Sequence, residues 1–123
     1  MQSSNLVLLQ SDARIVPSLV ASLRSSFHSV KPVKSVDELR TSIAKHQPEV
    51  AILDMEIASI SDVARLAHEF PAVCVVCTHR LADETMWAAA LNAGAVDICL
   101  SNDLRGIVTA AARHPSLAHP IAA

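Results

Sequence analysis

A three-layer α/β fold, with one five-stranded parallel sheet covered by helices on both faces, is the architecture this sequence predicts. Two observations lead to it. Short apolar runs alternate five times with segments of helical periodicity, and the connections between them are short. The apolar content is also almost wholly aliphatic: hydrophobic residues are 51% of the 123, aromatics only 2%. A core of Val, Leu, Ile and Ala suits strands buried on both faces, which read as continuous apolar runs. A chain of this length buries enough surface to fold as one domain without disulfides or a structural metal.

The elements follow in order. Asn5 to Leu9 is a short apolar run, read as a buried first strand and closed by Gln10-Ser11-Asp12. Ile15, Val16, Leu19, Val20 and Leu23 recur at helical spacing and predict a helix from about Ala13 to Phe27, with Pro17 in its early turns. His28 to Val36 reads as a weak second strand that Pro32 assigns to a sheet edge. Ser35 with Glu38 three residues on forms a capping box, opening a second helix to about His46 that Gln47-Pro48 ends.

Val50 to Leu53 is the cleanest buried strand and runs into Asp54. A third helix is expected from about Ser61 to Glu69, and a fourth strand from Val73 to Cys77. Asp83 to Ala93 is the fourth helix, closed by Gly94 as a C-terminal glycine. Val96 to Leu100 is the fifth strand. Asp103 caps a fifth helix to about Arg113, so residues 1–113 form the domain. Residues 114–123 hold Pro115 and Pro120, lack periodicity and read as a linker or C-terminal tail.

Composition excludes several function classes. Net charge is −2 with no basic block, which argues against direct nucleic-acid binding. No apolar stretch reaches transmembrane length, and the first residues lack the features of a secretory signal; a soluble, cytoplasmic protein is expected. The only glycines are Gly94 and Gly106, so no glycine-rich phosphate loop exists for nucleotides or flavins. The six histidines show no metal-ligand spacing, and no nucleophile elbow is present. Cys74 and Cys77 form a C-x-x-C inside a strand. Alternation points residues three apart to opposite faces, so they read as core thiols rather than a redox pair, with Cys99 also in an apolar run.

In a doubly wound sheet, chemistry collects at the carboxyl ends of the strands. Three such ends carry polar groups: Ser11-Asp12, Asp54, and Thr78-His79. If those strands are neighbours, Asp12 and Asp54 could hold a magnesium ion through hard oxygens, Asp54 could attack a phosphoryl donor, and Thr78 could bond a phosphoryl oxygen. The structural alternative for Asp12 is that it caps the first helix.

Specific segments then resemble the receiver domain of bacterial response regulators, over roughly Asn5 to Arg113. Leu8-Leu9-Gln10-Ser11-Asp12 resembles the first-strand segment that ends in an acidic pair. Gln47-Pro48-Glu49-Val50-Ala51-Ile52-Leu53-Asp54 resembles the approach to the phosphoacceptor, and Val75-Val76-Cys77-Thr78 the strand bearing the switch hydroxyl. Ala90-Leu91-Asn92-Ala93-Gly94-Ala95 resembles the run before the last strand. The resemblance implies a flavodoxin-like (βα)5 fold and a regulatory module in a phosphorelay rather than an enzyme. It implies phosphorylation of Asp54 by a histidine kinase, Mg2+ held by Asp12, Asp54 and the Glu56 backbone carbonyl, and Thr78 as switch hydroxyl. It further implies an output domain or effector protein as partner, and a homodimer through the fourth helix, fifth strand and fifth helix.

The departures point to a second class. Ser11 replaces an acid of the pair, which lowers the expected metal affinity. Ser101 replaces the usual lysine after the fifth strand, removing a charge-assisted contact worth about 1.5–3 kcal/mol. Ile98 replaces the usual aromatic, and Ala58-Ser59 the usual Pro-Gly pair. His79 or Arg80 could supply the missing cation, or could be a solvated loop charge. The alternative function is a degenerate receiver that binds protein partners without phosphorylation. Met86 and Trp87 on the fourth helix are then the candidate anchor, unless Trp87 packs inward.

Overall fold

The computed structural model describes residues 5–118, with the side chains of residues 113–118 outside the description. Ten elements alternate: β1 Asn5–Leu9, α1 Val16–Leu23, β2 Ser29–Val33, α2 Val36–His46, β3 Val50–Asp54, α3 Ile60–Glu69, β4 Cys74–His79, α4 Glu84–Ala93, β5 Asp97–Leu100 and α5 Leu104–Ala118. All five strands are parallel, in the order β2-β1-β3-β4-β5. The expected fold class is therefore the observed one. The order reverses between β1 and β3, which sets the crevice where such sheets place their sites.

Alternation along the strands divides the core in two. Leu6, Leu8, Val50, Ile52, Cys74 and Val76 point to the face covered by α1 and α5, where they meet Leu19, Leu23, Ile107 and Ala111. Val7, Leu9, Ala51, Leu53, Val75 and Cys77 point to the other face, against Leu39 and Ile43 of α2, Val63 and Leu66 of α3, and Ala90 of α4. Cys74 and Cys77 thus lie in different clusters, as their spacing required. β3 is buried at every residue, whereas β2 and β5 are partly exposed, because an edge strand is covered less completely. Pro32 sits on β2, which pairs only with β1, so its missing N–H interrupts no second ladder.

Several boundaries differ from the sequence expectation for local reasons. α1 begins at Val16, so Pro17 falls in the first turn, where an N–H has no intrahelical partner to lose. Ser35 accepts from the Glu38 N–H at 3.0 Å, but the Glu38 carboxylate reaches the Lys34 N–H, one residue earlier than a standard capping box. The full reciprocal box lies at α3 instead, between Ser59 and Asp62. Gln47 closes α2 in the left-handed region at φ 49°. α5 continues to Ala118, five residues beyond the expected end, with Pro115 removing one N–H from its ladder. Residues 119–123 of the expected tail lie outside the described residues.

Gly94 closes α4 at φ 115°, and a Cβ there would lie 2.5 Å from the Ala67 Cβ on α3. Both the backbone conformation and the α3–α4 approach therefore select glycine. Gly94→Ala is expected to cost about 1–3 kcal/mol, read as a lower urea midpoint at unchanged m-value.

Candidate functional site

The parallel register builds the site. Asp54, the last residue of β3, pairs with Thr78 on β4, which pairs in turn with Cys99 on β5. On the other side Leu53 pairs with Leu9, so the next residue, Gln10, stands level with Asp54. By alternation Gln10, Asp54 and Thr78 share the α1/α5 face with Leu8, Ile52 and Val76. Ser101, in the turn just after β5, donates its N–H to the His79 carbonyl at 3.2 Å and lines the same cleft as Gln10. Four polar side chains thus lie at the carboxyl ends of four strands, all of them buried.

Asp54 is 0% exposed. Its Oδ2 accepts from the Ser11 N–H at 2.7 Å and its Oδ1 from the Glu56 N–H at 2.9 Å. The main chain therefore satisfies both carboxylate oxygens, which compensates for burying the group. The Met55 N–H donates to the Thr78 carbonyl at 2.8 Å, tying the β3 and β4 ends together. Beside Asp54, Thr78 Oγ1, Ser101 Oγ and Gln10 Nε2 are buried without a hydrogen-bond partner among the described residues.

A cleft of about 510 Å³ opens next to this row, lined in part by Gln10, Ser11, Asp12, Glu56, Arg80 and Ser101. Its charged walls are internally paired. Asp12 Oδ1 and Oδ2 take Arg14 Nε and Nη2 at 3.2 Å, and the guanidinium holds the Asp12 carboxyl below its usual pKa. Asp12 also accepts the Arg14 N–H at 2.9 Å, a local turn contact. Arg80 Nε meets Glu56 Oε1 at 3.0 Å, and the Arg80 N–H donates to Glu56 Oε2 at 3.2 Å, so this pair clasps the loops after β3 and β4.

The expected site residues are thus partly assembled. Asp54 and Thr78 come together in register. Asp12 lies on the cleft wall, but its carboxylate is engaged by Arg14, and the strand-end position level with Asp54 belongs to Gln10. The reason is the end of β1: the strand stops at Leu9, so Asp12 lies two residues too far along. Arg80 reaches the cleft, yet in partnership with Glu56. His79 Nδ1 accepts the Leu81 N–H at 2.9 Å, a loop contact. Gln10 received no role from the sequence; the alternation of Leu6 and Leu8, carried one step past the strand, gives its face, and only the β1–β3 register gives its level with Asp54.

Whether these residues fit a divalent cation can be judged from the donors present. Mg2+ needs several hard oxygens. Here the Asp54 oxygens each hold a backbone N–H, Asp12 and Glu56 are paired with arginines, and Gln10 presents an amide N–H2. Among the described residues, no group of three or more His, Cys, Asp or Glu is placed to hold a metal ion. Asp12 and Asp54 are thus not brought together as a carboxylate pair, and the Arg80 pairing engages the Glu56 side chain, not the backbone carbonyl expected as a ligand.

No helix among the described residues is long and apolar enough to cross a membrane. A second surface feature is a set of exposed apolar side chains. Trp87 on α4 is 50% exposed, so it does not pack inward, and Leu81 and Leu100 are exposed with it. β5 is an edge strand, and the Ile98 N–H donates to the Asp97 carboxylate at 2.8 Å.

No family model matches the chain, and no curated protein matches it. Solved structures do. The signal receiver domain of a Luxo repressor protein from Vibrio parahaemolyticus superposes with a TM-score of 0.84 at 12% identity, covering 95% of this chain and 93% of that one. A response regulator from Thermotoga maritima gives 0.84 at 18% identity, covering 94% and 99%. A response regulator from Burkholderia pseudomallei, solved with a phosphorylated aspartic acid, calcium ion and citrate, gives 0.77 at 17% identity, covering 93% and 69%. Identities this low carry the fold alone, and on that ground the chain has the flavodoxin-like (βα)5 fold of response-regulator receiver domains.

Proposed function

We propose that this chain is a receiver-type signalling module that acts by docking a protein partner on its α4–β5–α5 face, independently of phosphorylation at Asp54. The observation that carries this is the state of Asp54: fully buried, with a main-chain donor on each oxygen. Each oxygen is held by a main-chain donor, and Arg14 and Arg80 are engaged by Asp12 and Glu56 rather than turned to Asp54, so neither supplies a free cation to draw in a phosphoryl group. Ser101, at the end of β5, supplies a hydroxyl where a lysine would supply charge to the incoming phosphoryl group. The docking face is supported by the exposed apolar side chains of Trp87 on α4, Leu81 in the loop before it and Leu100 on the edge strand β5. Its occupant in this reading is an effector protein, an output domain or a second copy of the chain. A cytoplasmic setting goes with that role, and the module itself catalyses no turnover.

A second reading keeps its support from one observation. Asp54 and Thr78 are register partners, and the Thr78 hydroxyl has no partner of its own among the described residues. In that reading a histidine kinase phosphorylates Asp54, Thr78 follows the phosphoryl group, and the added charge shifts the α4–β5–α5 face. One experiment separates the two. The protein is incubated with acetyl phosphate and Mg2+, and its intact mass is measured. No added phosphoryl mass is expected. An adduct mapped to Asp54, and lost in Asp54→Asn, would establish the phosphorelay reading instead.

A further inference from the structure

We infer that the Asp54 centre takes no divalent cation because the carboxamide of Gln10 stands in the place a second cation-binding carboxylate would have to occupy. The inference deepens the receiver-type reading of that centre and rests on it.

The argument is one of position and donor type. A carboxylate level with Asp54 on a neighbouring strand and on the same face would be placed to share an ion with it. The β1–β3 register gives that place to Gln10, and alternation gives it the α1/α5 face. Gln10 is only 8% exposed and lines the cleft beside Asp54. Its Oε1 accepts the Asp12 N–H at 3.0 Å, and a backbone donor there requires the oxygen of the amide. Nε2 is thereby left without a partner among the described residues and buried. An amide N–H2 donates hydrogen bonds and offers a hard cation nothing.

The other carboxylates do not make up the deficit. Asp12 faces Arg14 and Glu56 faces Arg80, so binding an ion would require breaking an existing pair. Ser11 contributes its N–H to Asp54, the donor role again. The centre therefore holds its buried carboxylate with N–H groups rather than with a metal. It is Gln10, and secondarily Ser11, that decides this.

The test is a titration of the folded protein with Mn2+ alone, following free Mn2+ by electron paramagnetic resonance. Wild type is expected to show no saturable binding. Gln10→Glu, nearly isosteric, is expected to acquire a site, and Gln10→Asp with Ser11→Asp one tighter than that of Gln10→Glu by about tenfold or more, since ligand charge count sets such affinities. Adding Asp54→Asn to either is expected to abolish it. Asp54-dependent Mn2+ binding by wild type would overturn the inference. So would a folded Gln10→Glu variant, judged by circular dichroism, that binds no better than wild type. No phosphodonor is present, so the result stands apart from the acetyl phosphate experiment. Phosphoryl uptake without Mn2+ binding would defeat the phosphorylation-independent reading alone, and Mn2+ binding without uptake would defeat this one alone.

Discussion

Ile52→Ala is expected to lower the unfolding free energy by about 2–5 kcal/mol, the range for truncating a fully buried aliphatic side chain. Ile52 is 0% exposed in the central strand β3, between Leu8 on β1 and Val76 on β4. It faces the cluster that joins the sheet to α1 and α5. Strands on both sides and helices above leave little freedom for the site to collapse, so the cavity should persist. Ile52→Val should cost far less, about 0.5–1.5 kcal/mol. Urea denaturation at unchanged m-value would check both. A loss for Ile52→Ala no larger than that for Ile52→Val would contradict the packing described here.

The second large effect is alkaline. Burial pushes the Cys77 thiol up to about 12 and the Cys99 thiol up to about 11, from an ordinary value of 9.0; Cys74 is raised as well. The sign follows from linkage. The folded state keeps these protons after the unfolded state has begun to lose them, so stability is full below pH 9 and falls as pH rises toward 11–12. Each thiol contributes a slope of at most about 1.4 kcal/mol per pH unit in that window, and two or three titrate together. The chain has no tyrosine, so no phenol obscures the measurement, and its three lysines are exposed. Urea midpoints in the presence of a reductant should therefore be constant from pH 7 to 8 and drop steeply by pH 10. Cys77→Ala should begin less stable but show a shallower decline. A flat profile to pH 11 would show that the thiols are more hydrated than their burial indicates.

Both expectations rest on the same property of the chain, its unbroken aliphatic layers, and that property was readable at the outset. Val50 to Leu53 read as the cleanest buried strand, and the position of Asp54 at its end followed. Ser35 and Asp83 marked helix starts, and Gly94 a helix end, because capping is chemistry within a few residues. Pro32 placed β2 at an edge before any topology was known.

The constellation around Asp54 was less legible. Asp12 looked like a partner because it is an acid near the end of an apolar run. Which residue stands level with Asp54 depends on where β1 stops and how it pairs with β3, and that register is a relation between segments about 43 residues apart. A shift of two residues exchanges a carboxylate for an amide. The same holds for Arg80, whose charge is spent on Glu56 across two loops. Trp87 was likewise undecided until the helix was docked and its exposed side known.

By itself, then, the amino-acid order determined the layer architecture, the helix caps and the strand-end location of a single buried acid, since these depend on periodicity and on neighbours close in the chain. The tertiary structure decided what surrounds that acid: main-chain donors, an amide and two hydroxyls instead of a cage of carboxylates. That outcome is set by the pairing of distant strands and by competition among charges for partners, and neither is written in any local pattern.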